Sequence, residues 1–115
     1  MQYLLTLYSD ESGWERMTPE QQKQGVAAYQ GYSEALKSAG VYVGSNRLRP
    51  SSTATTLRAT EGKTQVLDGP FVDSKEKLGG YYLIDVPDLD AALSWAGRCP
   101  GVQHGTVEVR AIWSM

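Results

Sequence analysis

Apolar and polar positions along the chain fall into short strand-like runs and two longer helical stripes. Gln2 to Tyr8 is short, apolar and rich in Leu, Thr and Tyr, and reads as a buried central strand because it is too short to bury a helical face. Ser9 to Met17 breaks the pattern with Asp10, Glu11, Ser12 and Gly13, and reads as a loop that folds back to cover Trp14 and Met17. Thr18-Pro19-Glu20-Gln21 is a helix start, with Thr18 as N-cap, Pro19 at the first helical position and Gln21 at the capping-box position. The helix is expected to run to about Ala39. Val26, Tyr29, Ala35, Leu36 and Ala39 fall near one face, Gln22, Lys23, Gln30, Glu34 and Lys37 on the wet side, and Gly40 suits the residue after the cap.

Val41 to Gly44 begins a second strand, which Pro50 prevents from continuing as a central one. Thr53 to Ala59 and Lys63 to Leu67 are β-prone runs around Glu61-Gly62, the composition of a hairpin. Asp68-Gly69-Pro70-Phe71 is then a turn by its own chemistry. Gly69 precedes a proline and tolerates backbone angles others resist, the Asp68 carboxylate can cap the turn, and Phe71 gives it an apolar weight to bury. Asp73 to Leu78 reads as a charged connector with room for one helical turn. Gly79 to Val86 is a strand apolar on both faces. A second helix opens at Asp88 with Leu89, Ala92, Leu93 and Ala96 on its buried stripe, and His104 to Ile112 closes the chain as a strand.

Without the inserted hairpin the order is β-α-β twice, which implies an α+β fold of the ferredoxin-like split type, helices on one face of an antiparallel sheet. The other face would carry Leu4, Thr6 and Tyr8, then Tyr81, Leu83 and Asp85, then His104, Thr106, Glu108 and Arg110. That mixture is too apolar to stay wet and too polar for a sealed core, and a second subunit would cover it.

At 115 residues the chain is one domain, 1–115, able to hold a single core. One cysteine, Cys99, excludes an internal disulfide, and with one histidine it cannot build a zinc site of the usual Cys/His type. The 11 basic residues are scattered and the net charge is −2, which argues against nucleic acid. With no signal-peptide pattern at Met1 and no apolar run near about 18 residues, a membrane role is not expected and a cytoplasmic, soluble protein is.

The start Tyr3-Leu4-Leu5 to Tyr8 with Asp10-Glu11 and Trp14, then Ala39-Gly40-Val41, Ala54-Thr55-Thr56, Asp68-Gly69-Pro70-Phe71, Lys75-Glu76 to Gly79-Gly80-Tyr81-Tyr82, and His104 to Arg110, together resemble the YCII-related proteins of the DGPF-motif type. The resemblance covers nearly the whole chain. It implies the dimeric α+β barrel, in which two ferredoxin-like sheets face each other across a cleft. It also suggests an association with extracytoplasmic-function sigma factors. One branch of the family carries a histidine in its first helix that is proposed to act with an acid; this chain has no His before His104, so that pair is not carried over.

In the antiparallel arrangement Tyr8, Tyr81 and His104 should converge at one end of the sheet, where the Trp14 loop and the Asp68 turn also lead. His104 is the candidate for acid–base catalysis, since imidazole takes and gives a proton near neutrality; its bland alternative is a structural hydrogen bond. Tyr8, Trp14, Phe71 and Tyr81 are candidate substrate-binding residues, with space-filling as the alternative. Asp68, Gly69 and Pro70 are structural turn residues, and Asp73 to Lys77 a solvated connector. Cys99 reads as a free thiol and not a nucleophile. The expected function is a homodimer binding a small aromatic or cyclic organic ligand, with cofactor-free and metal-free proton transfer of the isomerase or lyase kind; the alternative is a non-catalytic module that touches a sigma factor.

Overall fold

In a computed structural model of the chain, which describes residues 1–114, the local signals become nine elements. They run β1 (Gln2–Ser9), α1 (Glu11–Glu15), α2 (Pro19–Ser38), β2 (Tyr42–Arg47), β3 (Thr55–Thr60), β4 (Lys63–Asp68), β5 (Lys77–Asp85), α3 (Leu89–Gly97) and β6 (Thr106–Ala111). Single 3₁₀ turns lie at Ser51–Thr53 and Pro100–Gln103. Strands β2, β5, β1 and β6 form one antiparallel sheet in that order, and β3 pairs with β4 in a separate hairpin. The fold is therefore the α+β split sandwich with an inserted hairpin.

The ends of α2 are set by the residues expected to set them. Gln21 N–H donates to Thr18 Oγ1 at 3.1 Å, and Thr18 N–H donates to Gln21 Oε1 at 3.0 Å, so two orphan donors are satisfied reciprocally. At the other end Gly40 takes φ +73°, a left-handed angle that glycine adopts without steric cost. Asp88 caps α3 by accepting from Ala91 N–H at 2.8 Å. The segment read as a loop contains α1, whose N-cap is Asp10: Ser12 N–H and Oγ both donate to Asp10 Oδ1. Those two bonds hold the Asp10 carboxyl below its ordinary value. Five residues interrupted by Gly13 carry no usable apolar period, which is why pattern alone missed the helix.

The core lies between the sheet and helices α2 and α3. Leu5, Leu36, Ile84 and Cys99 are fully buried there, joined by Tyr3, Tyr32, Tyr82, Val86, Ala92 and Ala96. Burying a Leu or Ile side chain stabilises the fold by about 1.5–3 kcal/mol. Tyrosines enter this core because their hydroxyls find acceptors: Tyr32 donates to the Trp95 carbonyl at 2.8 Å, and Tyr82 pairs with Ser33 Oγ at 2.8 Å. The two rings meet edge to face at 5.1 Å.

Several expected packing positions are different. Val26 and Ala39 are exposed on α2, and the stripe runs instead through Gly25, Tyr29, Tyr32 and Leu36. Gly25 lies against the Trp14 ring, which rotates Val26, one residue on, toward solvent. Leu89 and Leu93 are exposed on α3, which rests on the small Ala92 and Ala96 with Trp95 beside them. Asp73 to Leu78 contains no helical turn; β5 begins at Lys77, two residues earlier than expected. The last strand begins at Thr106, and His104 sits in the turn before it.

The protomer is a flat slab of 48 × 44 × 18 Å with a radius of gyration of 16.1 Å, against about 13 Å for a globular domain of this length. The β3–β4 hairpin accounts for its breadth, since it pairs with no strand of the main sheet. Leu57 and Val66, opposite each other on the hairpin, are more than 60% exposed.

Candidate functional site

The face of the sheet away from the helices presents residues in rows fixed by strand register. Leu83, Leu4 and Arg110 form one row, and Tyr81, Thr6 and Glu108 the next, with Asn46 beside Tyr81. Asn46 Nδ2 donates to the Tyr81 hydroxyl at 2.8 Å, and Arg110 pairs with Glu108 at 2.8 Å. Among the described residues the buried Thr6 Oγ1 has no hydrogen-bond partner.

Beyond these rows the register slips. Leu7 lies opposite Gly80 and Tyr8 opposite Leu78, so Gly79 is an extra residue in β5. Strict alternation would place Leu78 on the helix side with Gly80, Tyr82 and Ile84; the bulge carries it to the face of Tyr8. Gly80 has no room for a side chain, since a Cβ there would stand 2.7 Å from the Asn46 carbonyl oxygen.

Tyr8 and Leu78 open into a groove of about 470 Å³. Its walls are the segment Leu48 to Ser51 with Thr53, Ala54 and Thr56, the segment Pro70 to Val72, and Glu76 and Lys77. The turn that follows β4 makes one wall through its backbone. Gly69 N–H donates to the Ala54 carbonyl at 2.7 Å, and Thr56 Oγ1 donates to the Gly69 carbonyl at 2.8 Å. Gly69 has φ +104°, a conformation that favours glycine. Asp68 was expected to cap this turn, but its backbone ends β4 opposite Thr55 and its side chain is exposed. Phe71 was expected to be buried and is 68% exposed, with the Arg58 guanidinium 5.4 Å from its ring.

Of the candidate residues, the groove brings together Tyr8, Phe71 and Pro70. Tyr81 lies on the same sheet face but in the Thr6 row. Trp14 is elsewhere, packed on Gly25 with the Arg47 guanidinium 4.6 Å from its ring, on the helix side. His104 lies in the exposed turn beside the end of β1; the next residue, Gly105, packs so closely on the Tyr8 carbonyl oxygen that it leaves no room for a Cβ. His104 does not line the groove.

Two groups that pattern reading placed in a solvated connector are part of the wall. Glu76 accepts a hydrogen bond from Thr106 Oγ1 at 2.7 Å, tying β6 to the groove. Lys77 is 21% exposed and lies 4.0 Å from Asp73. Glu11, from α1, holds the opposite wall by accepting both the backbone N–H and the hydroxyl of Ser51. The polar side chains on the face of Tyr8 and Leu78 are a phenol, Tyr8, and a carboxylate, Glu76, beside apolar surface. Cys99 is buried behind the sheet, and burial pushes its thiol up, away from thiolate chemistry. Among the described residues no cluster of His, Cys, Asp and Glu could hold a metal ion, and no helix is long and apolar enough to cross a membrane.

Comparison with known proteins agrees with this architecture. An uncharacterized protein, R00369, from Rhizobium meliloti (strain 1021) is 42% identical over 118 residues, covering 97% of this chain and 92% of that one. Among solved structures, 5-chloro-2-hydroxyhydroquinone dehydrochlorinase (TftG) from Burkholderia phenoliruptrix AC1100, in complex with 2,5-dihydroxybenzoquinone, superposes with a TM-score of 0.57. The match covers 99% of this chain and 94% of that one at 17% identity, which shows the shared fold alone. The profile of the YCII-related domain matches residues 1–115. With the whole chain inside that profile and a relative above 40% identity, the protein belongs to the YCII-related family.

Proposed function

We propose that the protein is a homodimer whose sheets face each other and whose groove beside Tyr8 binds a small cyclic organic molecule. The observation that carries this reading is the groove itself: about 470 Å³ of largely apolar space with Tyr8, Glu76 and Lys77 on its wall. Ligand sites are mostly apolar clefts with a few placed polar groups. The dihydroxybenzoquinone complex of the related fold supports a ring-shaped ligand. The mixed sheet face supports a second copy, because Leu4 and Leu83 stand beside polar rows that water alone leaves poorly covered.

Turnover, on this reading, is proton transfer of the isomerase or lyase kind. His104, in the turn before β6 and outside the groove of a single chain, is the acid–base group of this reading, and Glu76 and Tyr8 are the polar groups on the groove wall. Binding is tested by titrating the ¹⁵N-labelled protein with 2,5-dihydroxybenzoquinone. Saturable shifts at Tyr8, Leu78 and Phe71, abolished in Leu78→Arg, are expected; shifts scattered over the surface would defeat the reading. Once turnover is found, unchanged rate in His104→Ala would remove His104 from the mechanism. The exposed Leu57–Val66 pair of the hairpin favours a second reading, a module docking on a sigma factor or another protein. Co-purification with such a partner and silence toward ring ligands would favour it.

A further inference from the structure

We infer that the ligand of this groove carries a ring hydroxyl, which donates to the Glu76 carboxylate. The inference rests on the groove being a ligand site and adds the chemical group that the site selects. Strand register fixes where that carboxylate lies. Tyr8 stands between Leu78 on β5 and Thr106 on β6, and residues directly opposite each other on antiparallel strands share a face. Thr106 is therefore on the face of Tyr8, and its hydroxyl donates to Glu76 Oε1 at 2.7 Å. The Glu76 side chain, which lines the groove, thus reaches from the residue before β5 across to β6 on that face. Glu76 is half-buried, and among the described residues only Thr106 donates to it and no salt bridge reaches it. A carboxylate has about four lone-pair sites, so most of its accepting capacity is unused. The Tyr8 hydroxyl is likewise without a hydrogen-bond partner among the described residues. A ring hydroxyl answers both groups, since it gives its proton to Glu76 and accepts the proton of Tyr8, while Leu78, Pro70 and Phe71 cover the ring. An ammonium answers Glu76 alone, because it has no acceptor for Tyr8.

Phenol and anisole share a ring and its oxygen and differ in the proton that can be donated, so they separate the hydroxyl claim from the ligand-site claim. Benzylamine, protonated at neutral pH, offers a cation instead. Each is titrated into the full chain and followed by NMR, with Glu76→Ala and Glu76→Gln alongside and the amide spectrum of each variant recording its fold. Phenol is expected to bind at least about tenfold more tightly than anisole, and more tightly than benzylamine. Glu76→Ala should bring phenol down to the anisole level and leave anisole unchanged. Glu76→Gln, which keeps the shape of the side chain and removes its charge, should cut the preference at least about threefold. Equal binding of phenol and anisole, tighter binding of benzylamine, a preference undiminished in the variants, or an equal loss of phenol and anisole in them overturns the hydroxyl inference and leaves the groove as a ligand site. Failure of all three to bind at the groove overturns both.

Discussion

Glu11 and Ser51, forty residues apart, are joined by two hydrogen bonds, the Ser51 N–H and hydroxyl both donating to the Glu11 carboxylate, at 2.7 Å for the N–H. The short helix α1 therefore fixes one wall of the groove. Hydrogen bonds to a charged group contribute about 1.5–3 kcal/mol, and this pair is partly buried. Glu11→Ala should lower unfolding stability by about 1–3 kcal/mol and weaken ring-ligand binding. Urea denaturation combined with the NMR titration checks both; full stability together with full affinity would refute the bracing role.

Gly105 is packed against the end of β1, leaving no space for a methyl group beside the Tyr8 carbonyl. Gly105→Ala should cost about 1–3 kcal/mol, the range for overpacking, and shift the amide signals of Tyr8, Ser9 and Thr106. A variant as stable as the parent, with those signals unmoved, would contradict the packing described.

Leu36 is fully buried between α2 and the sheet. Leu36→Ala removes its burial and leaves a cavity, so a loss of about 2–5 kcal/mol is expected. Val26→Ala, on the same helix but exposed, should change stability by less than about 0.5 kcal/mol. Parallel melts of the two variants test where the helix stripe lies.

Burial pushes the Tyr29 hydroxyl up to about 12 and raises those of Tyr32 and Tyr82 as well. A group whose folded value lies above its unfolded value stabilises the fold fully below the unfolded value and loses that contribution as pH rises through the folded one. Stability should therefore hold up to about pH 10 and fall from there toward about 12. Absorbance at 295 nm should show three of the seven tyrosines titrating above the ordinary tyrosine range; ionisation of all seven within that range in the folded protein would contradict it.

If the open sheet face meets a second copy, light scattering at micromolar concentration should give twice the chain mass of 12.6 kDa. Leu83→Asp, which puts a charge beside Leu4, should return the mass to that of one chain. A monomeric parent protein would remove the dimer from the proposal.

Much of the architecture was legible in the residues themselves. The capping box at Thr18 and Gln21, the cap at Asp88, the turn at Gly40 and the alternation along β1 and β5 are signals within a few neighbours, and backbone hydrogen bonding acts at that range. From them came the order of strands and helices, and with it the face that carries Leu4, Thr6, Tyr8, Tyr81 and Leu83. The candidate site was less legible. Tyr8 and Phe71 do line the groove, but Trp14 packs behind the sheet and His104 stands in an outer turn.

Glu76 looked like a solvated charge and Glu11 like part of a loop because their partners, Thr106 and Ser51, are distant in sequence. The bulge at Gly79 reverses the side of Leu78, and no pattern with a strict period of two can contain it. Local order follows from spacing along the chain, where each residue sees its neighbours. The groove exists only once the hairpin, α1 and the bulged strand have been brought together, because its walls come from segments whose contacts are set by packing across the fold.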